Sequence, residues 1–148
     1  SQSNMKGYWR NDDATAECIN PEGWFKSGDL GKFDGPFLYI LDRLKDMVIR
    51  GGENIACPEV EGAIYEHPDV LEASVFGIPD ERLGEILCSS ICLREGSKLS
   101  AESLNEFLSD KLAAFKKPVK IKFTYNPLPK IASGKFDKPT MRQNFIEE

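Results

Sequence analysis

The stretch Leu41–Glu61, LDRLKDMVIRGGENIACPEVE, decides how the rest of the chain is read. Met47 to Ile49 is a short apolar run that reads as a strand and stops at Gly51-Gly52. That pair suits a tight turn between strand and helix, or a close approach by a ligand, because neither residue carries a Cβ. Pro58-Glu59-Val60-Glu61 then opens a helix, with proline in the first turn and two acids where the helix dipole favours them. Val60, Ala63 and Ile64 supply its apolar stripe, and it stops before His67-Pro68. A strand, a glycine turn and a helix in one short stretch point to a mixed fold.

Downstream, Val70 to Ile78 and Ile86 to Leu93 read as strands separated by the turn-rich Pro79-Asp80-Glu81-Arg82. Ser100-Ala101-Glu102-Ser103 looks like a helix start. Leu104, Phe107, Leu108 and Leu112 keep helical spacing to the break at Lys117-Pro118. Val119, Ile121 and Phe123 alternate with Lys120, Lys122 and Thr124, the pattern of a half-buried strand with a basic outer face. A polar loop, Lys130 to Phe136, precedes a short amphipathic C-terminal helix. Upstream, Leu30 to Phe33 and Phe37 to Leu41 read as a hairpin turned by Asp34-Gly35-Pro36. The first 28 or so residues lack a sustained period, and Tyr8, Trp9, Trp24 and Phe25 need a surface that this segment cannot supply. Small mixed sheets with about three helices and no regular βαβ repeat predict an α+β fold.

At 148 residues, with 41% hydrophobic and 29% charged side chains, the chain has the profile of an ordinary soluble domain. It is long enough to hold a core without disulfides or metal. The net charge of −5 is unevenly spread. Residues 1–110 carry 21 Asp and Glu against ten Lys and Arg, whereas residues 111–142 carry nine basic residues against Asp137 alone. Such asymmetry points to an anionic partner near the C-terminal end. Nucleic acid is disfavoured, because Phe123 falls in register with Val119 and Ile121 and no aromatic residue is interleaved on the basic face.

Cys88 and Cys92 lie roughly 13 Å apart along one predicted strand, beyond disulfide reach. With His67 the only histidine and no C-x-x-C pair, a metal site has no support. Reduced thiols, no signal peptide and no membrane span give a cytoplasmic expectation. The segment KIASGK around Lys135 fails as a Walker A loop, since Pro129 stands at the first glycine position and Phe136 replaces Ser or Thr. What remains is a lysine on a flexible arm that could be delivered to a phosphate.

KGYWRNDDATAE and GWFKSGDL, LDRLKDMVIRGGENIACPEVE, HPDVLEASVFGIPDERLGE, and FKKP followed by LPKIASGK occur together and in this order. With these strings, from Met5 onward, the chain resembles the C-terminal lid domain of the adenylate-forming superfamily. That superfamily contains acyl-CoA synthetases, aryl-CoA ligases, beetle luciferases and the adenylation domains of nonribosomal peptide synthetases. The GGENI string and the loop lysine most resemble acyl-CoA synthetases acting on fatty or aryl acids.

The resemblance implies residues 1–42 as the end of a large N-terminal domain and residues 43–148 as the lid. It implies ATP with Mg2+ and CoA as co-substrates, the Mg2+ ligands lying in the N-terminal domain, which is also the lid's partner. Lys135 matches the family's adenylation lysine. Asp29 matches the aspartate that accepts hydrogen bonds from the ribose hydroxyls of ATP and AMP, a role its two acceptor oxygens suit. Arg43 matches an arginine that reaches the nucleotide; its alternative is a surface ion pair with Asp42 or Asp46. Lys45 matches the hinge about which the lid swings. Gly51 and Gly52, with Glu53 beside them, match the loop that meets the pantetheine arm of CoA. Many relatives carry Arg at the position of Asn54, so a phosphate contact by CoA there loses its usual donor. The fragment by itself is expected to be inactive. Two alternatives stand: the lid of an acid–AMP ligase or carrier-loading adenylation domain, and a stand-alone interaction module.

Overall fold

The computed structural model describes residues 3–147, and the chain divides between Leu44 and Lys45 into two compact units. The first unit holds helix α1 (Asp12–Cys18) and an antiparallel hairpin of β1 (Asp29–Asp34) and β2 (Phe37–Arg43). The hairpin lies where the sequence places it, with Gly35 at φ +56° in its turn. Helix α1 falls in the segment without a sustained period, and its cause is local. Asn11 Oδ1 accepts from Ala14 N–H, and Asp12 and Asp13 occupy the first turn. None of the described residues of this unit is buried. Trp9, Trp24, Phe33, Phe37 and Ile40 are all more than 60% exposed, so the need for an outside surface extends from the first segment to the hairpin.

The second unit contains β3 (Val48–Arg50), β4 (Glu53–Ile55), α2 (Cys57–Tyr65), β5 (Val70–Asp80), β6 (Gly84–Leu93), α3 (Ala101–Phe107), β7 (Lys120–Thr124) and α4 (Lys138–Ile146). Its sheet runs β4-β3-β6-β5, and β7 pairs parallel with β6. Both β3, through Arg50 opposite Gly84, and β7, through Cys88 to Cys92, use the side of β6 away from β5. The fold is α+β, as expected, with four α-helices among the described residues where about three were predicted.

Strand alternation sends side chains of β5 and β6 to opposite faces. Ala73, Val75, Leu87 and Ile91 pack with Val60 and Ile64 of α2 and with Leu104 and Leu108. Phe76, Ile78, Ile86 and Cys88 pack with Met141 and Phe145 of α4, where the Phe76 and Phe145 rings meet edge to face at 5.3 Å. Helical cover on both faces is why these strands read as nearly unbroken apolar runs. Burial pushes the Cys88 thiol up to about 11, so this cysteine is a core residue and not a nucleophile.

Three expectations need correction. Helix α3 ends at Phe107, although the helical spacing continues to Leu112. Ser109 Oγ donates to Asn105 O and Ser109 N–H turns back to Glu106 O, so the backbone tightens into turns while Leu108 and Leu112 stay buried. Val119, placed in the core by alternation, lies one residue before β7 and is 52% exposed, its N–H bonded to Leu87 O. The lysine face of β7 is also not simply solvent: Lys122 Nζ lies 4.5 Å from the Phe145 ring centre and donates to Asn144 O.

The basic C-terminal stretch folds against acids of α2, of Glu66, which ends that helix, and of β5. Lys111 pairs with Glu66, Lys116 with Glu59, Lys130 with Glu72 and Lys138 with Glu61. Much of the charge asymmetry is therefore met inside the unit. Of these pairs, Lys138–Glu61 is the most enclosed, at 3.0 Å with both side chains 19% exposed. Glu61 Oε1 also accepts from Val75 N–H of the edge strand. Glu61→Ala is expected to lower stability by about 2–4 kcal/mol, leaving an enclosed ammonium and an unpaired backbone N–H. Glu59→Ala, at the more exposed pair, should cost less than about 1 kcal/mol. Urea unfolding of both variants checks this; equal losses would show that enclosure of the Glu61 pair carries no weight.

Candidate functional site

The lysine-bearing loop is closed on itself. Lys130 and Phe136 form a bridge, Ile131 N–H donates to Lys135 O, Gly134 N–H to Ile131 O, and Asp137 N–H to Pro129 O, the last three at 2.9 Å. Gly134 sits at φ +83°, a conformation that a side chain disfavours. Asp137 then caps α4, its carboxylate accepting from Thr140 N–H. Lys135 emerges exposed near the end of the loop, and its side chain makes no hydrogen bond or ion pair with any other described residue. An ammonium presented in this way keeps all three donors for an incoming anion.

The loop is mounted at its start through Glu72. This carboxylate on β5 accepts from Lys130 Nζ and from Leu128 N–H. The hydrogen bond from Lys130 holds the Glu72 carboxyl below its ordinary 4.5, with Leu128 N–H adding to the effect and partial burial opposing it. A depressed carboxyl pKa stabilises the fold fully above the unfolded value, and that contribution is lost as pH falls through the lowered one. Just beyond the loop, Lys138 is held by Glu61.

Gly51 and Gly52 form the turn between β3 and β4, not one between strand and helix. Their φ values of +58° and +88° are those of a type I′ hairpin turn, which matches strand twist and calls for residues that tolerate positive φ. Gly51 N–H donates to Leu83 O, and a Cβ there would meet Leu83 Cδ2 at 3.4 Å. At Gly52 a Cβ would meet nothing within 4 Å, so this residue faces open space. Glu53, opposite Arg50 in the ladder, and Asn54 are exposed beside it. Arg50 donates to Phe115 O at 2.6 Å, tying the hairpin to the segment before β7.

Within the first unit, Asp29 and Arg43 are cross-strand partners at the open end of the hairpin, with Arg43 Nε 3.9 Å from Asp29 Oδ1. Asp29 therefore offers its carboxylate to the Arg43 guanidinium from the facing strand. Both side chains are at least 36% exposed, so the pair adds little stability and leaves both groups accessible. Lys45 is exposed, lies in a 3-10 turn of Leu44–Asp46, and is the first residue of the second unit.

The register of the β5–β6 hairpin separates the two loops of the second unit. Glu72, which mounts the lysine loop, pairs with Cys92, whereas Gly84, against which β3 packs, pairs with Asp80. Asp80 lies eight steps along the strand from Glu72, roughly 27 Å at about 3.4 Å per step. The loop of Lys135 and the turn of Gly51-Gly52 are thus anchored at opposite ends of one sheet. Sequence reasoning singled out Lys135 and the glycines but passed over Glu72, Glu61, Lys130 and Lys138. A signal was available: Glu72 and Glu61 are charges among apolar residues of a strand and a helix, and a half-buried carboxylate calls for a partner.

Among the described residues no helix is long and apolar enough to cross a membrane, and no group of three or more His, Cys, Asp or Glu could hold a metal ion. Residues 59–135 match the family described as AMP-binding enzyme C-terminal domain. A feruloyl-CoA synthase of Amycolatopsis sp is 42% identical over 95% of the chain, which spans 28% of that protein. The ATP-bound structure of MatB from Rhodopseudomonas palustris superposes with a TM-score of 0.86 at 35% identity, covering 95% of this chain and 28% of that one. The o-succinylbenzoate CoA synthetase MenE from Bacillus subtilis, in complex with its acyl-adenylate intermediate, gives a TM-score of 0.82 at 36% identity over 97% of this chain and 28% of that one. The chain spans little more than a quarter of these proteins. With a family match over more than half its length, and relatives that are acyl-CoA synthetases, it belongs to the C-terminal domains of the adenylate-forming enzymes.

Proposed function

We propose that the chain is the C-terminal lid of an AMP-forming acyl-CoA synthetase that joins a fatty or aryl carboxylic acid to CoA. In the first step the carboxylate oxygen attacks the α-phosphorus of ATP, forming acyl-AMP and releasing pyrophosphate. In the second the CoA sulfur attacks the acyl carbon, forming the thioester and releasing AMP. The first step brings two anions together and builds charge on the phosphorus oxygens, which a positioned ammonium offsets. Lys135 supplies that ammonium. Asp29 accepts from the ribose hydroxyls, and Arg43 beside it reaches the nucleotide. Gly51 and Gly52, with Glu53, admit the pantetheine arm of CoA. Mg2+ serves ATP from ligands in the N-terminal domain, which also covers the exposed aromatic residues of the first unit. Residues 1–42 are the end of that domain, residues 43–148 are the lid, and the enzyme works in the cytoplasm.

The separation of the two loops carries this reading. A single rigid body with Lys135 at one end of its sheet and Gly51-Gly52 at the other cannot offer both to one reaction centre. The lid must turn between the half-reactions, and Lys45, at the start of the second unit, is the hinge. A polar residue there can stay hydrated through a backbone rotation.

The test uses the full-length enzyme with ATP, a panel of fatty and aryl acids, and CoA. Acid-dependent pyrophosphate release followed by CoA-dependent AMP and thioester formation is expected, with neither from the present chain alone. Thioester formation by the chain alone would overturn the reading. Pyrophosphate release without transfer to CoA would instead identify an acid–AMP ligase or a carrier-loading enzyme.

A further inference from the structure

The lysine loop has few means of holding its shape. None of residues 130–135 is buried, and the backbone bonds that close the loop are few and short in range. A solvated loop of this kind opens locally at little free-energy cost. Yet a group that must meet a transition state has to be held within a fraction of an ångström, and a misplacement of 1 Å can cost about a hundredfold in rate. Something outside the loop has to hold it.

Glu72 is placed to do so. It projects from β5, the long strand shared by both cores, so its backbone is fixed by the most extensive pairing in the chain. One carboxylate oxygen accepts from Leu128 N–H and the other from Lys130 Nζ. Leu128 is 5% exposed and packs with Phe76, Met141 and Phe145, which fixes the segment leading into the loop. The Lys130 ammonium also lies 5.4 Å from the ring centre of Phe136, the residue bridged to Lys130 across the neck of the loop. The carboxylate thus holds one side of the neck directly, and the other through Lys130. Lys135 directly precedes Phe136, so a neck that opens shifts its Cα.

We infer that Glu72 is a positioning residue for adenylation, acting through Lys130 to hold the loop that delivers Lys135. This rests on the lid reading above. It assigns Lys130 to the mount and leaves phosphate to Lys135, although both are basic residues of one short loop. Replacing the carboxylate by an amide keeps an acceptor for Leu128 N–H but removes the charge that holds Lys130.

The experiment compares Glu72→Gln, Lys130→Gln, their double variant and Lys135→Ala in the full-length enzyme. The readouts are acid-dependent pyrophosphate exchange, thioester formation from supplied acyl-AMP, and amide hydrogen exchange. Each mount variant is expected to lower kcat for pyrophosphate exchange by about tenfold, with KM for ATP and thioester formation unchanged. The double variant should be no worse than either single one, because the two residues act as a unit. The amides of Ile131, Gly134 and Asp137 should exchange about tenfold faster, while those of β5 and β6 keep their protection. Unchanged loop exchange, equal losses in both half-reactions, or multiplying effects in the double variant would each overturn the assignment. If Lys135→Ala abolishes pyrophosphate exchange and Glu72→Gln leaves it intact, the positioning role fails and the lid reading stands. Full adenylation by Lys135→Ala sinks the lid reading and the catalytic consequence with it; loop exchange then decides alone whether Glu72 holds the loop.

Discussion

Lys135→Ala in the full-length enzyme is expected to slow acid-dependent pyrophosphate exchange by about a hundred- to a thousandfold, roughly 2.7–4 kcal/mol of transition-state stabilisation. Thioester formation from supplied acyl-AMP should change by less than about threefold, since the proposed role places the lysine in only one of the two half-reactions. The structure makes this substitution a clean test of the proposed role. Lys135 is exposed, and its side chain has no partner among the described residues, so its removal opens no cavity and orphans no carboxylate. Removing Lys130, by contrast, would leave the Glu72 carboxylate without the cation paired to it, holding only Leu128 N–H among the described residues. Lys135→Arg should recover only part of the rate, because a planar fork cannot replace a compact ammonium at the same point. Equal loss in both half-reactions would show that Lys135 supports the fold and not the chemistry.

Gly52→Leu should give the opposite profile, with thioester formation reduced by about tenfold or more and pyrophosphate exchange largely kept. Two effects contribute and can be separated. At φ +88° any branched residue strains the backbone, at a cost of roughly 1–2 kcal/mol. A Cβ at Gly52 meets nothing within 4 Å, so obstruction at that atom would come from the CoA arm or the N-terminal domain of the proposed enzyme. Gly52→Asn tolerates the I′ turn and carries a smaller, polar side chain, so it should retain more transfer activity than leucine. If leucine and asparagine depress both half-reactions equally, Gly52 serves only to fold the hairpin.

The second unit was legible because its strands and helices announce themselves by period. The apolar runs of β5 and β6, the Pro58 start of α2 and the Ser100 cap of α3 each state a local preference that tertiary packing then satisfies. Strand β4 was not legible, since three residues beyond a glycine pair carry no period and owe their conformation to pairing with β3. Helix α1 rests on an Asn11 cap with no apolar stripe to mark it. The site residues entered through their strings, whereas their geometry did not. That Asp29 and Arg43 face each other depends on a register shift between Leu30 and Gly31. The pairing of Lys130 with Glu72 joins residues 58 positions apart, which no local pattern announces.

The five-stranded sheet packed on both faces has a mechanical meaning. Interiors at crystalline density transmit displacement instead of absorbing it, so the sheet acts as a lever. In the rotation proposed above, with one working loop at each end, a turn that brings Gly52 towards the acyl group would withdraw Lys135 from the phosphates in the same movement. On that proposal, the lysine would not be at hand to join pyrophosphate back to the acyl-adenylate while the thiol attacks. In the proposed cycle the lever therefore keeps the two half-reactions apart in time, while their direction stays with the free energies of reactants and products.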